Sequence, residues 1–353
     1  MQKKFKSFTK HITSFVLSVC VISFFNINVS AVYRPVYDFT GSVRTDFTVL
    51  TLQGATGSQI NWKTFRNPAA GPGLDFIRVQ PFGVVGDIVT AADWFGDGKT
   101  EISVYRPTPD FSYYETPFPE AGAGALTVER WGQGGDNLGR DGDYDGDGKD
   151  DETIIRISGG VLQWWIKGAN GTNRVVTYGA TATNTSLFAF QGADFNNDGR
   201  DEFVLARVAN ASGAAIWFIG DSITGAQIMQ VSWGNFNTDY LINPDDYTGD
   251  GIAEIPVWRA GATNAADRVW YLFNPATGTQ AAPIGLQFGI GDPNFVNNDL
   301  PLRGNYDDDN KADIAVFRPS TRTWYWIRSS DGGLGVQQWG DAGDTPLPSF
   351  FTF

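Results

Sequence analysis

Cysteine and histidine are almost absent from this chain. Its 353 residues include one of each, Cys20 and His11. Both precede Ala31, in a segment that reads as a secretory signal peptide spanning residues 1–31. Lys3, Lys4, Lys6 and Lys10 make a basic start, an apolar run follows from about Ile12 to Phe25, and Val29-Ser30-Ala31 offers a cleavage site. The run is short and breaks at Asn26 and Asn28, so a stable membrane anchor is not expected. Val19 is too bulky for the residue that precedes a lipid-modified cysteine. Cleavage would leave a mature chain, 32–353, with no disulfide, thiol nucleophile or imidazole. That excludes Cys/His zinc sites and Ser-His or Cys-His nucleophile pairs.

Basic residues are also scarce. Losing those four lysines takes 26 basic residues to 22 against 39 acidic ones, a net charge of −17. Such a charge argues against binding nucleic acid by neutralising phosphates and fits a chain that holds cations. Amphipathic helical periodicity is missing beyond the signal segment, which leaves glycine, aromatics and short strand-like runs.

The densest stretch is Asp143-Tyr-Asp-Gly-Asp-Gly-Lys-Asp-Asp151. Side-chain oxygens stand at loop positions 1, 3, 5 and 9, and Lys149 at position 7 can add its carbonyl. Gly148 at position 6 permits the sharp turn that gathers these oxygens. Hard divalent cations want an all-oxygen cage of this kind. Loops of this type start at Asp38, Asp93, Asp143, Asp194, Asp246 and Asn305, at intervals of 55, 50, 51, 52 and 59 residues. A period near 50 marks a repeat architecture.

Each period has the same order. A short strand leads into the loop, and a second follows it, as in Ile102-Ser-Val-Tyr105 and Ile314-Ala-Val-Phe317. A third carries aromatics: Trp62, Tyr113-Tyr114, Trp164-Trp165, Trp217-Phe218, Trp270-Tyr271 and Trp324-Tyr325-Trp326. A fourth ends in an aromatic and a glycine, as in Phe82-Gly83 and Trp339-Gly340. Four strands repeated six times predict an all-β propeller of six four-stranded blades. The tryptophans are expected to fill the wedges between blades, each buried aromatic contributing roughly 1.5–3 kcal/mol. Thr345-Pro-Leu-Pro-Ser-Phe-Phe351 reads as the first strand of one further repeat without its loop, Phe350 standing where the first Asp would be. It either closes the ring against the N-terminal blade or begins a seventh blade.

Asp143–Asp151 with the strand after it, and likewise Asn305-Tyr-Asp-Asp-Asp-Asn-Lys-Ala-Asp-Ile-Ala-Val-Phe317, resembles the FG-GAP/VCBS-type repeat of integrin-α-like β-propellers. The resemblance covers essentially the whole mature chain. It implies calcium in the loop between the first and second strands of a blade, and extracellular binding or adhesion, including lectin activity. Asp143, Asp145, Asp147, Lys149 and Asp151 match it fully. Asp194, Asn196, Asp198, Arg200 and Glu202 match with an amide at position 3, and Asp246, Thr248, Asp250, Ile252 and Glu254 with a hydroxyl there. Asn305, Asp307, Asp309, Lys311 and Asp313 begin with an amide, and Asn310 takes the turn position. Four calcium sites are expected from these loops. Asp93, Asp97, Lys99 and Glu101 make a fifth candidate, in which Phe95 removes a ligand. The first loop, with Asp38, Thr40, Ser42 and Asp46, has β-branched Val43 at the turn position and is not expected to bind metal.

Calcium is read as structural, and the chain as a secreted binding or adhesion module for protein or glycan ligands, placed outside the cell, at its surface or in the periplasm. The alternative is a propeller scaffold carrying a polysaccharide lyase or hydrolase. Nearly every clustered carboxylate belongs to a metal-type loop, and no serine nucleophile motif stands out, so no catalytic residue is assigned. The longer connections, about 180–186 and 290–298, enlarge the rim opposite the metal loops, where recognition is expected.

Overall fold

The computed structural model describes residues 33, 35–52, 54–67, 77–117, 126–168, 171–181, 187–260, 267–291 and 298–347. The signal segment, most of the two long connections and Phe350 lie outside these residues.

Six four-stranded antiparallel sheets account for all the strands among the described residues, and no α-helix occurs among them. Blade 2 joins Ile88–Val89, Ile102–Arg106, Ser112–Thr116 and Thr127–Arg130. Blade 3 joins Asn137–Leu138, Glu152–Ser158, Val161–Lys167 and Asn173–Ala180. Blade 4 joins Leu187–Ala193, Glu202–Val208, Ala214–Gly220 and Gln227–Asn235. Blade 5 joins Asp239–Leu241, Ile255–Ala260, Asp267–Asn274 and Thr279–Ile290. Blade 6 joins Leu300–Leu302, Ile314–Arg318, Thr323–Ile327 and Leu334–Gln338. Strand order follows chain order in each, so every blade is a meander.

Blade 1 is built from both ends of the chain. Phe47–Thr51, Gln59–Phe65 and Ile77–Val84 supply three strands, and Thr345–Pro346 supplies the fourth. The last strand pairs antiparallel with the first of these, Leu50 opposite Thr345 and Val49 opposite Pro346. The C-terminal half-repeat thus closes the ring at six blades and covers an edge that would otherwise stay open.

The alternation of side chains along each third strand sorts the aromatics. Trp62, Tyr113, Trp164, Trp217 and Trp270 are fully buried and Trp324 nearly so. They sit in clusters that each span two neighbouring blades. One joins Val204, Trp217 and Ile219 of blade 4 to Leu241, Ile255 and Val257 of blade 5. Another joins Phe47 and Val49 of blade 1 to Leu302, Phe317 and Trp324 of blade 6. Neither face of a blade is buried by its own strands, so adjacent blades complete each other's cores. The second aromatic of each doublet points the other way and is only partly buried, as with Tyr114, Trp165, Phe218, Tyr271 and Tyr325. They face the preceding blade, and Tyr114, Phe218, Tyr271 and Tyr325 pack at the edge of the wedge on that side.

Candidate metal centres and the rim opposite them

All six acidic loops adopt one conformation. The turn position is left-handed in every copy: φ is 95° at Gly148, 78° at Gly98, 82° at Gly199, 81° at Gly251, 62° at Asn310 and 59° at Val43. Asn310 meets this requirement as expected of asparagine. Val43 meets it at a cost, since a β-branched residue is strained there. Val43→Gly is expected to stabilise the protein by roughly 0.5–1 kcal/mol, the relieved strain being partly offset by the entropy of a freer unfolded chain. Chemical denaturation would measure it; an unchanged or lower midpoint would contradict it.

The first residue of each loop caps the turn. Asp143 accepts from the amides of Gly146 (2.8 Å), Asp147 (3.1 Å) and Gly148 (3.0 Å). Asp93 does the same with Gly96, Asp97 and Gly98, and Asp194 with Asn197, Asp198 and Gly199. The ninth residue reaches back to the loop's start. Glu202 accepts from the Phe195 amide at 2.8 Å, Glu254 from Tyr247 at 2.9 Å and Asp313 from Tyr306 at 2.6 Å.

Two loops bring three carboxylates together. Ligand oxygens of Asp143, Asp145 and Asp147 lie within 4.8 Å of one another, as do those of Asp93, Asp97 and Glu101. The second loop therefore gathers its acids despite Phe95. Asp151 is fully buried and accepts from the Tyr144 amide at 3.2 Å. In the other loops, side-chain donors engage the acids. Asn196 donates to Glu202 at 2.9 Å, and Arg200 pairs with Asp198 at 2.5 Å. Thr248 (3.0 Å) and Asn274 (2.7 Å) donate to Glu254. Ser329 donates to Asp309 (2.8 Å) and Ser330 to Asp307 (2.6 Å). Of the residues expected to lend carbonyls, Lys149 and Lys311 place their amides 3.1 Å from Asp147 and Asp309, and Ile252 is 2.9 Å from Asp250.

With protein groups alone around them, the ninth-position carboxyls are pushed up: Glu101, Glu202 and Glu254 to about 8 and Asp313 to about 7. Burial is the main cause in each, and a neighbouring loop carboxylate adds to it. Groups held so far from their ordinary values favour a cation among them. The residues fit a hard divalent ion, the oxygen donors being carboxylates, amides, hydroxyls and carbonyls.

The loops are joined in a ring. In each, the carbonyl of the first residue accepts from the amide of the eighth residue of the next loop. Thr100 bonds Asp38 at 2.8 Å, Asp150 bonds Asp93 at 2.9 Å and Asp201 bonds Asp143 at 2.9 Å. Ala253 bonds Asp194 at 2.8 Å, Ala312 bonds Asp246 at 2.8 Å, and Thr45 bonds Asn305 at 2.7 Å, which closes the circle. Side chains of the eighth position double three of these links: Asp150 accepts from the Asp93 amide, Asp201 from Asp143, and Thr45 from Asn305. The cationic stem at position 7 packs over the fourth residue of the preceding loop. Lys149 comes within 2.6 Å of where a Cβ on Gly96 would sit, and Lys311 within 2.6 Å of one on Gly249. Glycine is required there by close approach as well as by its positive φ.

A second repeated device occupies the far ends of the same strands. Arg106, Arg156, Arg259 and Arg318 each grip an aspartate with two hydrogen bonds of 2.6–2.9 Å: Asp87, Asp136, Asp239 and Asp299. Their guanidinium groups lie over Tyr114, Trp165, Tyr271 and Tyr325, at 4.2–5.3 Å from the ring centroids. These are the second aromatics of the doublets. In blade 1, Thr51 and Lys63 bond Asp344 instead, at 2.7 and 2.9 Å.

Residues 143–205 match the family model for the FG-GAP-like repeat. The chain is a six-bladed β-propeller carrying an FG-GAP-like repeat. The matched stretch starts at the best-formed loop and ends within the second strand of blade 4. Among solved structures, the chain is similar to a triple arginine-to-alanine mutant of AofleA from Arthrobotrys oligospora. That likeness has 11% identity over 90% of each chain and a TM-score of 0.41. A search of curated proteins gives no match.

Proposed function

We propose that this chain is a secreted calcium-binding propeller that serves as a binding or adhesion module for protein or glycan ligands, with calcium as a structural element and no catalytic role. The closed ring of loop-to-loop hydrogen bonds carries this reading. A cation held in one loop would fix the first residue of that loop, and the backbone carbonyl of that residue is bonded to the next blade. Calcium would therefore hold blades together as well as individual turns. Asp143, Asp145 and Asp147 would hold it in blade 3, and Asp93, Asp97 and Glu101 in blade 2. The loops starting at Asp194, Asp246 and Asn305 would use their own oxygens once the engaging donors turn away. Magnesium suits these sites less well, because it demands strict octahedral geometry and retains water.

Calorimetric titration of calcium into decalcified protein tests the metal reading. Uptake of four or five ions is expected, at dissociation constants of about 10⁻⁴–10⁻³ M, the usual range of extracellular calcium modules. Asp143→Ala should remove one ion. No uptake at millimolar calcium would overturn the proposal. Incubation with polyuronates tests the non-catalytic part, since unsaturated products would reveal a lyase.

A further inference from the structure

Blade 4 departs from the arginine–aspartate device. Sheet register sets an aspartate opposite or next to the arginine position in every other blade, with Asp344 facing Thr51 in blade 1. In blade 4 the residue opposite Arg207 is Leu187. Arg207 keeps its place over the second aromatic of its blade, 5.7 Å from the Phe218 centroid. One terminal nitrogen donates to the Ala180 carbonyl. Its Nε, which grips the carboxylate in the other blades, is buried and has no hydrogen-bond partner among the described residues.

Leu187 also lines a cavity of about 420 Å³, together with Thr181, Phe188, Leu162, Leu205, Arg140 and Asp141. Leu187, the sheet partner of Arg207, thus separates a cation without its usual carboxylate from a cavity of mixed polar and apolar lining, large enough for a small molecule. We propose that this is a binding site for an organic carboxylate. The ligand's carboxylate would supply, beside Leu187, the charge that aspartate supplies in the other blades, and its apolar body would enter the cavity past Leu187. Arginine suits this role because its fork matches a carboxylate with two hydrogen bonds. The proposal deepens the binding-module reading by assigning a ligand class, and it does not depend on the calcium loops.

The experiment uses 4-phenylbutyrate as probe and 4-phenylbutanol as its neutral counterpart, titrated into the full mature chain at saturating calcium. Calcium stoichiometry is measured on the same samples, so a failure of the metal reading is seen separately. The acid should bind about tenfold or more tightly than the alcohol, the difference expected of charge-assisted hydrogen bonds. Arg207→Gln should weaken the acid by a similar factor and leave the alcohol unchanged. Leu187→Asp should restore the internal pair, abolish acid binding and keep the melting temperature at or above that of the parent. If that variant does not fold, Arg207→Lys serves in its place, retaining part of the affinity. Equal binding of acid and alcohol, acid binding that survives Leu187→Asp, or no binding at millimolar probe would each overturn the proposal.

Discussion

Removing calcium is expected to lower the melting temperature of the mature protein by roughly 10–15 °C. A site of about 10⁻⁴ M at millimolar calcium stabilises the folded state by about 1.5 kcal/mol through mass action. Four such sites contribute roughly 6 kcal/mol, and each kcal/mol moves the melt of a chain this long by about 2 °C or slightly more. The size of the effect should depend on pH. In the calcium-free protein the ninth-position carboxyls stand near 8 at Glu101, Glu202 and Glu254, far above their unfolded values. Between about pH 4.5 and 8 the native state then binds more protons than the unfolded state, so calcium-free stability falls as pH rises through that window. Calcium requires the ionised carboxylates and competes with the protons. The gap between melts with and without chelator should therefore widen from about pH 5 to about pH 8. Scanning calorimetry at several pH values decides it; coincident melts, or a gap that narrows with rising pH, would contradict the structural role of the ion.

The loops and strands were legible in the sequence because their signals are local. Spacing of Asp, Gly and aromatics placed every second strand within a residue or two, and the C-terminal half-repeat announced the closing strand. The position-4 requirement was less visible. It is glycine in four loops, but Asn197 and Asp308 carry it with φ of 58° and 71°. The loop-to-loop ring is made by backbone groups and leaves no side-chain pattern beyond the acids and Thr45 at position 8. The arginine device had half a signal. Arg106, Arg156, Arg207, Arg259 and Arg318 each stand thirteen residues after the first residue of their loop. Their aspartates fall in connections of unequal length, so only sheet register brings each pair together. Most tryptophans read as blade-to-blade core, and the fully buried first aromatics bear this out. The period of two along a strand sends the two aromatics of a pair to opposite faces of the blade; the second packs at the edge of the preceding wedge and also carries the arginine.

Arg318→Ala is expected to destabilise the propeller by about 3 kcal/mol, whereas Arg207→Ala should cost less than about 1 kcal/mol. The two arginines occupy equivalent points of their blades, and the difference lies in what each leaves behind. Asp299 has no side-chain exposure, while Arg318 keeps 24% of its own. Deleting Arg318 strands a buried carboxylate whose remaining donor is the Ile290 amide, at 2.9 Å. The penalty for an uncompensated buried charge runs to roughly 3–5 kcal/mol, and the partial exposure of the guanidinium places this case at the low end. Deleting Arg207 strands no acid, because Leu187 stands opposite. Adding Asp299→Asn to Arg318→Ala should recover much of the loss, since the amide removes the charge and keeps the shape. Denaturant unfolding of the two single variants and the double variant measures all three. Equal costs for Arg318→Ala and Arg207→Ala would show that the guanidinium stabilises mainly by packing on its aromatic, with the buried carboxylate contributing little.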